Sequence, residues 1–164
     1  MMEIDPVMFT PIELARYQQV LAEIRPGERV YDLGCGDARG LISCAAELGG
    51  DCVGIEIRPE VAEQARARVR EAGVEEQVEI RCGDYMEADL SKADAVILYL
   101  TRGSLGPLSI KLEEELPVGA RVVTHTFDLP GWTAEREEQW FGPDTGAFVD
   151  VFLYRQFERS GGVG

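Results

Sequence analysis

The sequence predicts an α/β fold of three layers, in which helices cover both faces of a seven-stranded, mostly parallel sheet that ends in an antiparallel hairpin. Two observations predict this class. Short apolar runs alternate with segments of helical period through most of the chain, which is typical of parallel strands joined by helices. The final stretch instead places two extended runs around the turn-forming sequence GPDTG, residues 142–146, and so predicts the hairpin.

The first predicted element is an N-terminal helix over residues 11–24. Thr10 is expected to cap it, Pro11 suits the first helical position, and Glu13 completes a capping box. Its apolar residues recur at spacings of three and four and therefore share one face. They are Leu14, Tyr17, Leu21 and Ile24.

Five parallel strands are predicted next, each an apolar run that alternates with a helix or a loop. They cover residues 29–33, 52–57, 78–81, 94–100 and 120–126. Helices with one apolar face each are predicted within 41–48, 59–72 and 105–116. The second arm of the hairpin, 147–156, is apolar on both faces and is therefore expected inside the sheet.

Length and composition set the broad class of protein. The chain has 164 residues, 45% of them hydrophobic, which suits a single globular domain over residues 1–164. No apolar run approaches the ~20 residues that span a bilayer, and the N-terminus lacks the basic and long apolar segments of a signal peptide. We therefore expect a cytoplasmic protein with no membrane partner. The sequence leaves its oligomeric state open.

The balance of charges bears on the partner. The formal net charge is −14, from 30 acidic against 16 basic residues. Such a surface repels a phosphate backbone and disfavours nucleic acid, while it suits a basic protein or a neutral or cationic small molecule. Solubility alone is an equally good explanation of the charge.

The cysteines give no sign of a metal site. Cys35, Cys44, Cys52 and Cys82 form no C-x-x-C pair, and His125 is the only histidine of the sequence. In a cytoplasmic protein these cysteines are expected to be reduced, buried thiols, and no bound metal is predicted.

A glycine-rich loop follows the first predicted strand, within the sequence DLGCGDARG at 32–40. Gly34 and Gly36 are spaced as in a dinucleotide-binding loop, but Gly40 comes one position later than the third glycine of G-x-G-x-x-G. Such a loop brings the backbone close to a ligand and directs the N-terminus of the next helix at an anionic group. A pyrophosphate and an amino-acid carboxylate both satisfy this requirement.

Two acidic residues follow the next two strands, at the edge where parallel sheets bind their ligands. Glu56 can accept hydrogen bonds from both ribose hydroxyls of a nucleoside. In the sequence CGDY, Asp84 can accept from the exocyclic amine of adenine, while the backbone N–H of Tyr85 meets a ring nitrogen. Together with the displaced glycine, these acids favour S-adenosylmethionine over NAD as the cofactor.

With these motifs the chain resembles, over nearly its whole length, the class I S-adenosylmethionine-dependent methyltransferases, which have a Rossmann-like fold. DLGCGDARG resembles their first motif, VGIEI at 53–57 their ribose-binding strand and GDY at 83–85 their adenine motif. The sequences LYLT and KLEEELPVGARVV, and the lack of a helix after the fifth strand, resemble the small archaeal protein-lysine methyltransferases and their mitochondrial relatives. The resemblance implies methyl transfer to lysine side chains of a protein substrate.

The resemblance also implies site residues. Asp32 would hold the amino end of the cofactor, Phe9 would belong to a lid over it, and Tyr99 and Thr101 would position the methyl acceptor. The cofactor-binding residues expected are Thr10, Asp32, Gly34, Cys35, Gly36, Glu56, Ile57, Asp84 and Tyr85.

Alternatives stay open on the sequence. Subgroup members carry glycine where this chain has Ala38, whose methyl group is expected to crowd the methionine end of the cofactor. The sequence LYLT at 98–101 lacks the Asn-Pro-Pro-Tyr-like motif of relatives that modify amides or base nitrogens. A small-molecule methyltransferase and a non-catalytic domain that binds S-adenosylmethionine are the alternatives to a protein-lysine enzyme. His125, at the end of a strand, is expected to be a hydrogen-bonded structural residue.

Overall fold

The computed structural model describes residue 5 and residues 8–157, which form a seven-stranded sheet in the order β3-β2-β1-β4-β5-β7-β6. The strands are β1 (Arg29–Leu33), β2 (Asp51–Glu56), β3 (Val78–Cys82), β4 (Ala95–Leu98), β5 (Arg121–His125), β6 (Arg136–Gly142) and β7 (Ala147–Arg155). The helices are α1 (Ile12–Leu21), α2 (Arg39–Leu48), α3 (Pro59–Glu71) and α4 (Arg102–Glu115), with a 3-10 turn at Tyr85–Glu87. The predicted fold class is confirmed.

The sheet is parallel from β3 to β5 and antiparallel at β7 and β6. β7 lies between β5 and β6, as its two apolar faces predicted. Val151 and Leu153 on one face join the core under α1, α2 and α3, while Tyr154 on the other face joins the core under α4. Both faces of the carboxyl-terminal half of the strand are thus buried by packing against different layers, whereas Phe148 in the other half is exposed.

The chain order reverses at β1, which lies between β2 and β4. In an open parallel sheet the crevice for a ligand forms beyond the carboxyl ends of the strands at such a reversal. The glycine-rich loop after β1 and the sequence LYLT after β4 therefore meet at this crevice.

The N-terminal helix is shorter than predicted, and its predicted capping box is wrong. The helix begins at Ile12 after Pro11, and no side chain caps it. It ends at Leu21 because Glu23 adopts a left-handed conformation, with φ of 53°. Thr10 does not cap because its hydroxyl is engaged elsewhere, 3.0 Å from Nε2 of His125.

Two smaller expectations are also corrected. β4 ends at Leu98, two residues short of the predicted limit of 100, because the chain turns there toward the start of α4. Cys82 is exposed at the end of β3, while the other cysteines are buried free thiols as expected. Within the described part of the chain, no helix combines the length and apolar character needed to cross a bilayer.

Candidate active site

The loop after β1 is held open by glycine conformations and by bonds to β2. Gly34 and Gly36 have φ of 85° and 58°, values that a residue with a side chain rarely adopts. The backbone N–H groups of Gly34 and Cys35 donate to the carbonyl of Ile55 at 2.8 and 3.0 Å. These two hydrogen bonds tie the loop to the end of β2.

A cavity opens at the carboxyl ends of β1 and β4, beside this loop. It encloses about 570 Å³ of empty space, open mouth included. Six of the predicted site residues line it, namely Phe9, Thr10, Asp32, Gly34, Cys35 and Tyr99. The structure thus brings together the residues predicted for the methionine end of the cofactor with one residue predicted for the acceptor.

The carboxyl group of Asp32 is the main electrostatic feature of this cavity. Burial, with the nearby negative charges of Glu56 and Asp37, raises the pKa of Asp32 to about 7. No hydrogen bond from a described residue stabilises its charged form. A cationic group bound against Asp32 would supply the missing stabilisation.

Gln18 lines this cavity although the sequence did not predict it there. It lies on α1, is only 1% exposed and lines the same cavity as Asp32. Its Nε2 has no hydrogen-bond partner among the described residues, which is costly for a buried amide. The signal in the sequence was a glutamine four residues after Leu14, within the apolar face of the helix. An orphaned donor and an unpaired carboxylate together fit a zwitterionic amino-acid group.

Phe9 covers the glycine loop. A side chain at Gly36 would meet the Phe9 ring at 3.1 Å, so the two pack in close contact. The guanidinium of Arg39 lies 4.9 Å from the centre of the same ring and is itself paired with Asp37 at 2.8 Å. The predicted role of Phe9 as a cover is consistent with this position.

Asp5 lies against the carboxyl-terminal edge of the sheet, where it contacts Thr101. Its carboxylate accepts a hydrogen bond from Thr101 Oγ1 at 2.5 Å and from Ser104 Oγ at 2.9 Å. Its backbone carbonyl accepts from the guanidinium of Arg58, after the end of β2. The hydroxyl of Thr101, predicted to position the acceptor, is thus engaged by Asp5, and Thr101 does not line the cavity.

The residues predicted for ribose and adenine lie along the ends of β2 and β3, outside the lining of this cavity. Glu56 is 4% exposed and accepts hydrogen bonds from the backbone N–H of Gly36 at 3.2 Å and of Arg58 at 2.9 Å. Asp84 accepts from the backbone N–H of Met86 at 2.9 Å. Ile57, at the adenine position, is 40% exposed.

Tyr99 and His125 form a stacked pair at the ends of β4 and β5, with ring centres 3.9 Å apart. The imidazole is bracketed by two hydroxyls, Thr10 Oγ1 at 3.0 Å and Thr126 Oγ1 at 2.9 Å. Burial lowers the pKa of His125 to about 4, so the ring is neutral near pH 7. The expectation of a hydrogen-bonded histidine is confirmed, and its ring supports Tyr99.

Ala38 lies at the start of α2, directly after the glycine loop. It has φ of 66° and stands at the N-cap of α2, a left-handed conformation that costs an alanine about 1–2 kcal/mol. Its side chain is fully buried in the core formed with α1, α2 and α3 and does not line the cavity. The methyl group of Ala38 therefore packs behind the loop, and the crowding of the cofactor stays a prediction.

The model of the ANTKMT methyltransferase domain matches residues 32–136. A protein-lysine N-methyltransferase of Saccharolobus islandicus (strain REY15A) is 37% identical over 128 residues, which are 77% of this chain and 80% of that protein. The adenine nucleotide translocase lysine N-methyltransferase of Mus musculus is 38% identical over 66% of this chain, but the match covers only 47% of the mouse protein.

Among solved structures, one similar fold belongs to a protein named RNA methyltransferase from Salinibacter ruber, in complex with S-adenosyl-L-homocysteine. It superposes with a TM-score of 0.87 at 36% identity, covering 93% of this chain and 95% of that one. S-adenosyl-L-homocysteine is what S-adenosylmethionine becomes when it loses its methyl group. The chain belongs to the ANTKMT methyltransferase domain family and is a class I methyltransferase whose cofactor is S-adenosylmethionine.

Proposed function

We propose that this enzyme transfers a methyl group from S-adenosylmethionine to the side-chain amine of lysine in protein substrates. The observation that carries the proposal is the archaeal relative named protein-lysine N-methyltransferase, which is 37% identical over 77% of this chain and 80% of its own. The net charge of −14 supports it, because an acidic surface attracts lysine-rich segments.

The cofactor site that we propose extends along the crevice from the end of β1 to the ends of β2 and β3. Asp32 binds the ammonium group of the methionine portion, Gln18 donates to its carboxylate, and the loop over Gly34 and Gly36 lies against it. Glu56 accepts from the ribose hydroxyls. Adenine is held by Ile57, Asp84 and Tyr85. In support, Asp32 and Gln18 are the unpaired acceptor and donor of one cavity.

When bound, S-adenosylmethionine supplies a methyl group on a sulfonium, which departs as a neutral thioether when the lysine nitrogen forms its new bond to carbon. The protein has to align the amine and keep water out. We assign alignment to Tyr99, held by His125, and exclusion of water to Phe9 and Thr10. Lysine loses its proton to solvent before transfer, which a desolvated site favours by lowering the pKa of the amine.

Thr101 has a weaker case as an acceptor residue. Its hydroxyl donates to Asp5 at 2.5 Å, and Ser104 donates to the same carboxylate oxygen. This contact favours a role for Thr101 in holding Asp5 at the edge of the sheet. Tyr99, which lines the cavity, is the better candidate for positioning the methyl acceptor.

RNA is the second candidate acceptor, because the Salinibacter ruber protein that is 36% identical is named an RNA methyltransferase. The acidic surface argues against it, since binding of a phosphate backbone depends on clustered basic residues. A small-molecule acceptor, and a domain that binds S-adenosylmethionine without turnover, are further alternatives. A cytoplasmic location and a single domain over residues 1–164 also stay predictions.

The function is tested by incubating the enzyme with methyl-labelled S-adenosylmethionine and a cell extract. We expect label on protein bands, and we expect it to vanish when the lysines of the extract are chemically blocked. A parallel sample treated with ribonuclease tests the RNA alternative. A second sample, passed through a filter that retains macromolecules, tests the small-molecule alternative. Label that survives lysine blocking and disappears with ribonuclease would contradict the proposal.

The role of Gln18 gives a separate prediction. Gln18→Leu removes an orphaned buried amide, so the ligand-free variant should be about 1–2 kcal/mol more stable than the wild type. It should bind S-adenosylmethionine about tenfold more weakly, because a hydrogen bond to a charged carboxylate is lost. Urea unfolding and a binding titration measure the two effects.

As a control, Gln19→Leu removes a donor that is already paired with the Gly40 carbonyl at 2.7 Å and should lower stability. Equal cofactor affinity in Gln18→Leu and the wild type would remove Gln18 from the site.

A further inference from the structure

A second cavity adjoins the cofactor cavity, and Phe9 and Tyr99 line both. It lies between the start of α1 and the turn that joins β6 to β7, and encloses about 650 Å³ of empty space, open mouth included. We call it the hairpin channel. Its lining includes Phe9, Glu13, Tyr99, His125, Trp140 and Asp144.

The inner part of the hairpin channel is aromatic. Trp140 projects from β6, and the stacked rings of Tyr99 and His125 lie where the channel approaches the cofactor cavity. Aromatic faces attract cations, and they also fit the apolar stem of a long side chain. His125 is neutral near pH 7, since burial lowers its pKa to about 4. The imidazole therefore does not repel a positive charge.

The mouth of the hairpin channel is acidic. Glu13 and Asp144 are both exposed, and neither forms an ion pair with another residue in the described part of the chain. The nearby Arg16 is engaged by Glu47 at 2.6 Å. The channel lining contains no lysine or arginine among the residues that the structure describes. Two exposed carboxylates at the entrance of an aromatic passage attract a cation with an apolar stem.

We propose that the hairpin channel is the acceptor site, which admits the lysine side chain of a partner protein from the side of the β6–β7 turn and delivers its amine to Tyr99. This inference rests on the proposed function and names the residues that select the acceptor. Glu13 and Asp144 attract the ammonium group, Trp140 contacts the methylene stem, and the reacting nitrogen meets the cofactor where Phe9 and Tyr99 separate the two cavities.

Binding of oligo-lysine in the presence of S-adenosyl-L-homocysteine tests the channel without turnover. The wild type should bind oligo-lysine and should not bind the same peptide acetylated on its side chains. Glu13→Gln combined with Asp144→Asn should weaken binding about fivefold, as expected for two exposed ion pairs. Glu71→Gln combined with Glu75→Gln removes the same charge from two exposed positions, the last residue of α3 and the turn that follows it, and should change binding less than about twofold.

Trp140→Leu provides a second test and should weaken oligo-lysine binding about tenfold. Unchanged affinity for S-adenosyl-L-homocysteine in each variant shows that the fold is intact. Equal weakening by both charge pairs, or none from either, would overturn the channel. If lysines of the extract are labelled but the affinity for oligo-lysine is unchanged in these variants, the proposed function stands and the channel is wrong. If the label lies on another acceptor, both are wrong.

Discussion

The variant Asp32→Asn is expected to bind S-adenosylmethionine about 100-fold more weakly than the wild type, and yet to be more stable without ligand at pH 8. Affinity falls because the bound ammonium group loses the partly buried carboxylate that would pair with it. The free energy of unfolding rises because the ionised carboxylate of Asp32 is poorly solvated in the folded protein and well solvated in the unfolded chain. Asparagine carries no charge and therefore avoids this cost. With a pKa of about 7 against an ordinary 3.8, the gain is about 2–4 kcal/mol.

The dependence on pH identifies Asp32 as the cause. The raised pKa means that the folded state holds a proton more tightly than the unfolded state, so this contribution to stability is present below pH 4 and is lost as the pH rises through 7. The difference between Asp32→Asn and the wild type should therefore be near zero at pH 4 and largest above pH 7. His125, with its pKa lowered to about 4, acts in the opposite direction, and subtracting the two unfolding profiles removes its effect.

Cofactor binding provides the matching measurement. Asp32 must be ionised to pair with the ammonium group, so the wild-type affinity should be about tenfold weaker at pH 6 than at pH 8. The affinity of Asp32→Asn should show no such step. A variant that binds within about threefold of the wild type, or a wild-type affinity independent of pH, would show that Asp32 does not face the ammonium group.

The variant Gly54→Ala is expected to lose about 2–3 kcal/mol of unfolding free energy. A Cβ at this position of β2 would lie 2.7 Å from Cys35 Sγ and 2.8 Å from Leu41 Cδ1. Neither neighbour can give way easily, because both are buried between the sheet and α2. Cys35 belongs to the glycine loop, so its displacement should also weaken cofactor binding.

Gly103→Ala is the matched control for this substitution. Gly103 lies exposed in the first turn of α4, and an added Cβ would meet nothing within 4 Å. Its replacement should leave stability unchanged or raise it by up to about 1 kcal/mol, because alanine is the better helix former. Urea unfolding of the two variants measures the contrast. A Gly54→Ala protein as stable as the wild type would mean that the loop can move away from β2 at little cost.

The sheet could be predicted because the pattern of apolar residues in each strand indicates which of its faces are buried. β4 is apolar at every position and is buried on both faces, and β7 is apolar on both sides and lies inside the sheet. The ends of elements were less predictable. α1 stops at Leu21 because Glu23 turns left-handed, and nothing in the local pattern of apolar residues specifies that turn. Similarly, Thr10 had a capping sequence, but a distant histidine engages its hydroxyl.

The candidate site was predictable where a residue follows a strand, and not where it comes from a distant element. Asp32 and Glu56 follow from the carboxyl ends of β1 and β2. Gln18 enters the same cavity from α1, and the sequence alone does not say which helix packs over the loop. Asp5 reaches Thr101 across 96 residues of chain, a contact that only the tertiary structure provides. The hairpin channel depends likewise on how the β6–β7 turn lies against α1.

Transfer of the methyl group to lysine is tested most directly by identifying the amino acid that receives it. Protein labelled by the enzyme and methyl-labelled S-adenosylmethionine is digested completely with proteases, and the labelled residues are separated by chromatography. The label is expected to elute with Nε-methylated lysine. Label that elutes with any other methylated amino acid, or with a methylated nucleoside from the same extract, would contradict it.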